Sequence, residues 1–520
     1  MPQIKKLEKR AAPSRYLCLP YWRIIGDSDG PLAFHPPSLR IIELDEVSAD
    51  VMRAALKTWG PADHAALARR FDAQVVDEAL RDMLEAGILS PLSDKKMSNP
   101  SRASLTGGKT RDSLSPCKPS LKLPPLRLLT LHVCHDCNLR CRYCYGEDGR
   151  FWSQPEYMRG EVAKRAIDLL LESAPQGSQN LNLVFMGGEP LLAFDLVREC
   201  VEYAESRADE LGHKVGFSMT SNGTQFSPER IKWLNSHSVS VMVSMDGPPE
   251  TQDALRCAPL GQSSTELLRP GLDHYLASRK GRVTVRATIC AGHVPLVDLT
   301  RYFRDVGFGN VVLSPVTGTR EQLGELSMSQ RDLARYIEET KRLWRDIARR
   351  LLAGETQSEV ASFIQRMDTL ESRTPVPRPR RPCGAGYSSL AVAPAGEVYL
   401  CHRFVGEAQF ACGNVYDGID EQARFRLFSQ CNPSNKSARC RGCTACGLCG
   451  GGCYHANWTA TGDPGQRDLH HCRLTRSLAI ESVRLYRRIH NAPLLHKMRE
   501  EYQKRLAELN SRCGTPPSVP

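Results

Sequence analysis

No stretch of about 18 consecutive apolar residues occurs in this 520-residue chain, so nothing in it reads as a membrane-spanning helix. Its opening, Met1-Pro2-Gln3-Ile4-Lys5-Lys6, lacks the apolar run of a secretory signal. A net acidic balance is also missing. The total charge is +11, which invites a nucleic-acid reading, but its distribution opposes one. Residues 16–92 hold seven Lys/Arg against twelve Asp/Glu, and much of the positive charge lies in a Ser/Pro/Gly-rich tract at 91–122 that reads as a solvated linker. Cysteine, by contrast, is plentiful, with twenty residues. Fourteen of them fall in two blocks, Cys134–Cys144 and Cys383–Cys472, at ligand-like spacings. A reduced, cytoplasmic, oxygen-sensitive protein is therefore expected, with no membrane and no nucleic acid as partner.

Cys137, Cys141 and Cys144 stand as C-x3-C-x2-C. Three thiolates so spaced can hold three irons of a [4Fe-4S] cube, and no fourth protein ligand follows nearby. One iron is left for a ligand that is not protein. Around this loop, Arg127–Ser314 alternates apolar strand patterns with amphipathic helical ones. Strands are predicted at Arg127–Val133, Leu181–Met186, Val215–Ser221, Ser238–Ser244, Val283–Ile289 and Val311–Ser314, with helices between them such as Glu161–Leu171, Phe194–Leu211 and Pro228–Asn235. Such alternation argues for a parallel sheet curled toward a barrel, whose chemistry sits at the C-terminal ends of its strands. The polar motifs fall there. The second strand ends in Gly187-Gly188-Glu189-Pro190, the third in Thr220-Ser221-Asn222-Gly223-Thr224, and the fourth in Ser244-Met245-Asp246-Gly247-Pro248 with Arg256 beyond. Two glycines allow close approach of backbone to a ligand.

The cysteine loop and these strand-end motifs resemble the radical S-adenosylmethionine (SAM) superfamily. The resemblance implies a partial (β/α)6 barrel in which SAM occupies the open iron of the [4Fe-4S] cluster. One electron then cleaves SAM to a 5′-deoxyadenosyl radical that abstracts hydrogen from carbon. It implies Cys137, Cys141 and Cys144 as catalytic cluster ligands and Tyr143 as the aromatic whose backbone meets adenine. Gly187, Gly188 and Glu189 would meet the SAM amino group, Ser244 its methionyl or ribose portion, and Arg256 its carboxylate. Arg286 on the fifth strand is a second candidate for an anionic or ribosyl contact. Cys134 is read as strand-end packing.

In the second block Cys383, Gly396 and Cys401 fit C-x9-15-G-x4-C, followed by Cys440-x2-Cys443-x5-Cys449-x3-Cys453 and, after a gap, Cys472. A zinc ribbon explains C-x2-C pairs but not the whole series. The series is similar to the SPASM extension, which implies two auxiliary [4Fe-4S] clusters. By position, Cys383, Cys401 and Cys453 would serve the first, and Cys440, Cys443, Cys449 and Cys472 the second. Ser389 stands where sulfatase-maturing enzymes have a further cysteine. The first auxiliary cluster then has an open iron or borrows Cys412, Cys431 or Cys446. His402 replaces the Asp base of those enzymes, which argues against formylglycine formation. Cys383-Gly384-Ala385-Gly386, Cys401-His402-Arg403-Phe404-Val405-Gly406 and Gly413-Asn414-Val415 resemble maturases of cysteine-rich peptides with thioether crosslinks. Gly451-Gly452-Cys453-Tyr454-His455 is similar to the maturase of the quinohemoprotein amine dehydrogenase small subunit.

Five segments result: a winged-helix module at 16–92, a linker at 93–122, the barrel at 123–365, the SPASM domain at 383–475 and a helical tail at 476–520. In the module, Leu17, Leu19, Trp22 and Ile24 read as one strand and Leu39–Leu44 as another, before helices at Val47–Trp59, Ala62–Phe71 and Val75–Ala86. An acidic winged helix repels phosphate. Fused to such a barrel, it resembles a precursor-peptide recognition element, in which a leader adds a strand to a sheet edge. The α/β chain is thus expected to modify a ribosomally made peptide or small protein, forming a thioether between a cysteine sulfur and a carbon, with flavodoxin or ferredoxin as electron donor. Alternatives are a carbon–carbon crosslink, oxidation of Cys or Ser to formylglycine, or epimerisation. An Fe–S redox regulator is the remote alternative from another class, and it leaves the strand-end motifs without a role.

Overall fold

A computed structural model describes residues 16–57, 59–91, 123–151, 154–279, 282–355, 359–373, 382–431 and 438–500. The linker expected at 93–122 and the tail beyond 500 lie outside the described residues. Among those described, 16–91, 372–373 and 441–448 form one compact unit and the rest form a second.

The first unit has five short strands, β1 (Tyr16–Cys18), β2 (Arg23–Ile25), β3 (Leu32–His35), β4 (Arg40–Glu43) and β5 (Leu89–Pro91). Its helices are α1 (Glu46–Ala55), α2 (Pro61–Ala68) and α3 (Ala73–Glu85). Asp45 and Asp72 cap α1 and α3 by accepting the Ser48 and Gln74 amides. Val76, Ala79, Leu80 and Met83, spaced along one face of α3, share a core with Trp22, Ala33, Val51, Met52 and Trp59. Gly87, at φ +67°, turns the chain out of α3 in the left-handed conformation.

The single strand expected through Leu17–Ile24 is two strands in two sheets. β1 pairs antiparallel with β5, whereas β2 pairs with β3 and β3 with β4. Pro20 and Tyr21 break it, Tyr21 standing at φ +74°. Segment 441–448, read as part of the second cysteine series, packs inside this unit. Arg23 Nη2 donates to the Gly442 carbonyl at 3.0 Å, and Gly447 lies against the Pro36 carbonyl so closely that a Cβ would sit 2.0 Å from it.

The second unit is built on β6 (Leu128–His135), β7 (Leu181–Gly187), β8 (Val215–Ser221), β9 (Ser240–Ser244), β10 (Thr284–Ile289) and β11 (Asn310–Pro315). They pair in parallel in the order β6-β7-β8-β9-β10-β11. Between them run α4 (Gly160–Glu172), α5 (Phe194–Glu210), α6 (Pro228–Ser236), α7 (Ser264–Ser278) and α8 (Leu296–Val306). α4 buries Val162, Ala163, Ala166, Ile167, Leu170 and Leu171. A fully buried Ile or Leu of this kind contributes about 1.5–3 kcal/mol.

Beyond β6 the sheet continues into the second cysteine region. β12 (Ser389–Val392) pairs in parallel with β6, and β13 (Glu397–Tyr399), β14 (Ala411–Asn414) and β15 (Gly418–Ile419) extend it antiparallel. Two of the expected segment boundaries fall inside continuous helices, 365 within Ala361–Glu371 and 475 within Leu469–Ile489. Among the described residues no helix is long and apolar enough to cross a membrane.

Candidate active site

Parallel strands that share one direction place the residues following their C-terminal ends around a common opening. Here that opening is a cavity lined by Cys137, Cys141, Tyr143, Cys144, Gly187, Gly188, Glu189, Ser244, Arg256 and Arg286, together with Asn222, Thr317, His402 and Arg403. Every residue picked out from the barrel motifs as cluster ligand or SAM contact is therefore at one place.

The three cysteines of the first loop sit close enough for each to influence the next. Burial pushes the Cys141 thiol up to about 11 and raises Cys137 further, with the neighbouring thiols adding to the effect. Such thiols carry negative charge only when something takes it up, which is the role of a metal. Leu139 N–H points at the Cys137 sulfur at 3.5 Å, and Arg256 Nη1 lies 3.7 Å from that of Cys141. Among the described residues no three Cys, His, Asp or Glu side chains converge on a point suited to a single metal ion. The three sulfurs instead edge a shared space, as the corners of a multi-iron cube require, and the donor set fits such a cluster.

Gly187 and Gly188 are required by the chain's own packing as well. A Cβ on Gly188 would lie 1.9 Å from the Asp136 carbonyl, and one on Gly187 2.1 Å from that of Cys134. The crowding comes from the chain's own loop, whose carbonyls accept the Gly188 and Glu189 amides at 2.9 and 2.8 Å. Cys134, as expected, is buried in this packing, its thiol donating to the Glu189 carbonyl at 3.2 Å.

Glu189 is 1% exposed. Its carboxylate accepts the Leu191 amide (3.0 Å), the Ser221 hydroxyl (2.8 Å) and the Asn222 amide (2.7 Å). Burial raises its pKa despite these bonds. Asn222 reaches back to Asn138 Oδ1 at 2.9 Å, so this carboxylate ties the ends of β7 and β8 to the cysteine loop.

A second carboxylate, Asp246, was not singled out in the sequence. It pairs with Arg256 (Nε–Oδ2 3.0 Å), accepts the Thr288 amide at 2.8 Å and takes the Tyr143 hydroxyl. Arg256, 8% exposed, is thus neutralised from within the chain. The signal was available, because a buried Arg needs a carboxylate nearby and Asp246 precedes it by ten residues, across the short helix Pro249–Leu255.

The far wall carries Tyr145, His402 and Arg403, with Arg286 beside them. Arg403 Cζ lies 4.9 Å from the Tyr145 ring centroid, and its Nη1 donates to Thr317 Oγ1 at 2.9 Å. Burial, followed by the charge of Arg403, holds His402 and His455 down to about 3. His135, also buried, is held at about 4. These imidazoles are neutral at working pH.

In the second series, burial pushes the Cys401 thiol up to about 12, with Cys453 and Cys383 among its close neighbours. Burial likewise raises Cys472, near Cys449 and Cys440, and the Cys449 sulfur is 3.9 Å from His471 Nε2. Cys443 belongs to the first unit, where its sulfur accepts the Ala445 amide at 3.4 Å. Cys412 is buried among Arg424, Glu421 and Asp420.

Residues 131–261 match the family model of the Radical SAM superfamily. The cysteine-type anaerobic sulfatase-maturating enzyme of Clostridium perfringens is 31% identical over 137 residues, covering 26% of this chain and 36% of that protein. The chain spans less than half the length of the relatives matched at this identity. Mycofactocin maturase MftC of Mycobacterium tuberculosis is 25% identical over 351 residues, 64% of this chain and 78% of the relative. Among solved structures, polyhistidine-tagged anSMEcpe with bound AdoMet superposes with a TM-score of 0.59 at 20% identity, over 75% of this chain and 99% of that one. At that identity the likeness is one of fold.

Proposed function

With residues 131–261 forming a radical SAM domain, we propose that the chain is a radical SAM enzyme that modifies a ribosomally made peptide or small protein, forming a bond between a cysteine sulfur and an activated carbon. The observation that carries this reading is the single cavity into which the cysteine loop, the Gly-Gly-Glu turn, Ser244 and Arg256 all open. Sulfatase and mycofactocin maturases as relatives favour a polypeptide substrate.

Cys137, Cys141 and Cys144 would hold three irons of the SAM-binding cluster. SAM bound beside them, with one electron from a flavodoxin or ferredoxin, would supply the radical chemistry that takes hydrogen from the substrate. The chain's own residues position and shield. Glu189 and Asn222 fix the loop to two strand ends, Asp246 orients Arg256 along the Cys141 side, and Tyr145 with Phe151 closes one wall against water. Parallel strands β6–β11 with one cavity at their C-terminal ends suit a partial barrel admitting a polypeptide. In the second series, Cys383, Cys401 and Cys453 would hold one auxiliary cluster. The other four matched cysteines, assigned from the sequence series alone, would hold another. Ser389 would leave the first with an iron open to a substrate thiolate, unless Cys412, Cys431 or Cys446 completes it. The acidic module at 16–92 would take the leader of the precursor.

The test is anaerobic reconstitution with SAM, a reductant and a cysteine-rich precursor peptide. The expected result is 5′-deoxyadenosine together with a peptide lighter by two hydrogens. Absence of SAM cleavage in fully loaded protein overturns the reading, and a product of unchanged mass redirects it to epimerisation.

A further inference from the structure

The cavity holds three arginines, and only one has a carboxylate. Arg256 is paired with Asp246. Arg286 comes from β10, where its backbone pairs with Ser244 and Val312, and its side chain lines the cavity. Among the described residues its guanidinium donates no hydrogen bond and forms no ion pair. Arg403 gives one N–H to the Thr317 hydroxyl and lies over the Tyr145 ring, both uncharged partners. Both cations line the same cavity. Burial and then the charge of Arg403 pull the pKa of Arg286 below its ordinary value. The carboxylates lining the cavity are committed elsewhere, Glu189 to Leu191, Ser221 and Asn222, and Asp148 to Arg140 (Nε–Oδ2 3.7 Å).

Two like charges kept together in a partly desolvated pocket are unfavourable unless an anion joins them. A guanidinium fork matches a carboxylate, and two forks with a hydroxyl beside them make a clamp for one. The clamp sits on the side of the cavity formed by β10, the residues after β11 and the segment following Cys401, whereas Gly187–Glu189 and Asn222 come from β7 and β8. Tyr145, at the clamp, follows Cys144 in the chain, and its ring centroid lies 6.3 Å from that of His402, next to Cys401.

We propose that Arg286 and Arg403, with Tyr145 and Thr317, form a carboxylate-binding subsite that holds an acidic side chain or the C-terminal carboxylate of the polypeptide beside the residue being modified. The proposal rests on the peptide-modifying reading for the source of the carboxylate. The alternative source of the same chemistry is the carboxylate of SAM itself.

The experiment measures phenylglyoxal modification of Arg286 and Arg403 by peptide mass spectrometry in the reconstituted holoenzyme. With SAM present, N-acetyl-L-glutamate methylamide is expected to slow modification of both residues about tenfold, as charge-assisted hydrogen bonds of this type allow, while N-acetyl-L-glutamine methylamide does not. Arg286→Gln should remove the protection at Arg403. Arg286→Lys keeps the charge without the fork and should restore only part of it. If SAM alone protects both residues and decarboxylated SAM does not, the peptide source is overturned. Full protection by the reconstituted clusters alone would make the arginines counter-ions of the clusters and also overturn the proposal, as would equal protection by the glutamate and glutamine probes. None of these readouts depends on turnover, so failure of the peptide-modifying reading shows separately, in the absence of product.

Discussion

The two cysteine regions of this chain are built on opposite plans. Cys137, Cys141 and Cys144 occupy eight residues of a loop hung from β6, and the loop is fixed by a regular parallel sheet through Glu189, Asn222 and Asn138. The second series is spread over ninety residues, among the short strands β12–β15 and the helices Glu421–Cys431 and Tyr454–Thr461, and Cys443 falls in one compact unit and the rest in the other. In the first region the scaffold makes the site. In the second, bound metal is expected to make part of the scaffold, since ligands distant in sequence are held together by what they bind. On the proposed reading the same atoms, thiolate sulfurs, would play a catalytic part in one place and a structural part in the other.

Replacing Cys137, Cys141 and Cys144 together by Ala should have the largest effect. SAM cleavage is abolished and iron falls by about four of about twelve per chain. The melting temperature should barely move, because the loop hangs from a sheet held by its own strand pairing and by the apolar face of α4. Iron analysis, deoxyadenosine assay and calorimetry on one preparation check all three, and near four irons in the intact protein would remove the auxiliary clusters.

Cys401→Ser should give the complementary result. About four irons are lost and thermal stability drops clearly, while SAM cleavage persists. Equal changes in melting temperature for the two cysteine variants would erase the contrast between the regions.

Within the sheet-built region, Asp246→Ala leaves Arg256 buried and unpaired, at an expected cost of about 3–5 kcal/mol in denaturant unfolding. Adding Arg256→Met should recover much of that stability without restoring SAM cleavage.

The smallest effect concerns Asp253, which lies outside the cavity. It accepts the Ser263 and Ser264 hydroxyls and both the amide and hydroxyl of Thr265, tying the loop that carries Arg256 to the start of α7. Burial raises its pKa, but these hydrogen bonds outweigh that and leave it below the usual carboxylate value. Asp253→Ala should cost about 1 kcal/mol. A depressed pKa in the folded state stabilises fully above the unfolded value and less as pH falls through the folded one. The deficit of the variant should therefore be constant near neutrality and shrink below about pH 4 in unfolding titrations.

Local spacing was enough to read much of this protein. Val215–Ser221 is a strand with the predicted limits, and α4 and α6 differ from expectation by a residue at one or both ends, because a period of two or 3.6 is written in neighbouring residues. The site residues of the barrel were legible for a related reason: a parallel sheet sends every strand end to the same side, so motifs at strand ends must meet. What is not periodic was misread. A proline-marked turn split the first strand of the N-terminal module, and the middle strand β3 was missed, since four residues with buried neighbours on both sides carry no alternation.

By itself the sequence determined the three-cysteine loop, the strand-helix alternation and the order in which polar groups reach the cavity, all of which depend on residues a few positions apart. Only the tertiary structure decided that Gly187 and Gly188 yield to the carbonyls of Cys134 and Asp136, that residues 441–448 pack with the N-terminal unit, and that Arg286 and Arg403 line one cavity. Those pairings join segments remote along the chain. They are fixed by strand order and by which charges burial leaves without a partner, and neither is encoded in any local spacing of residues.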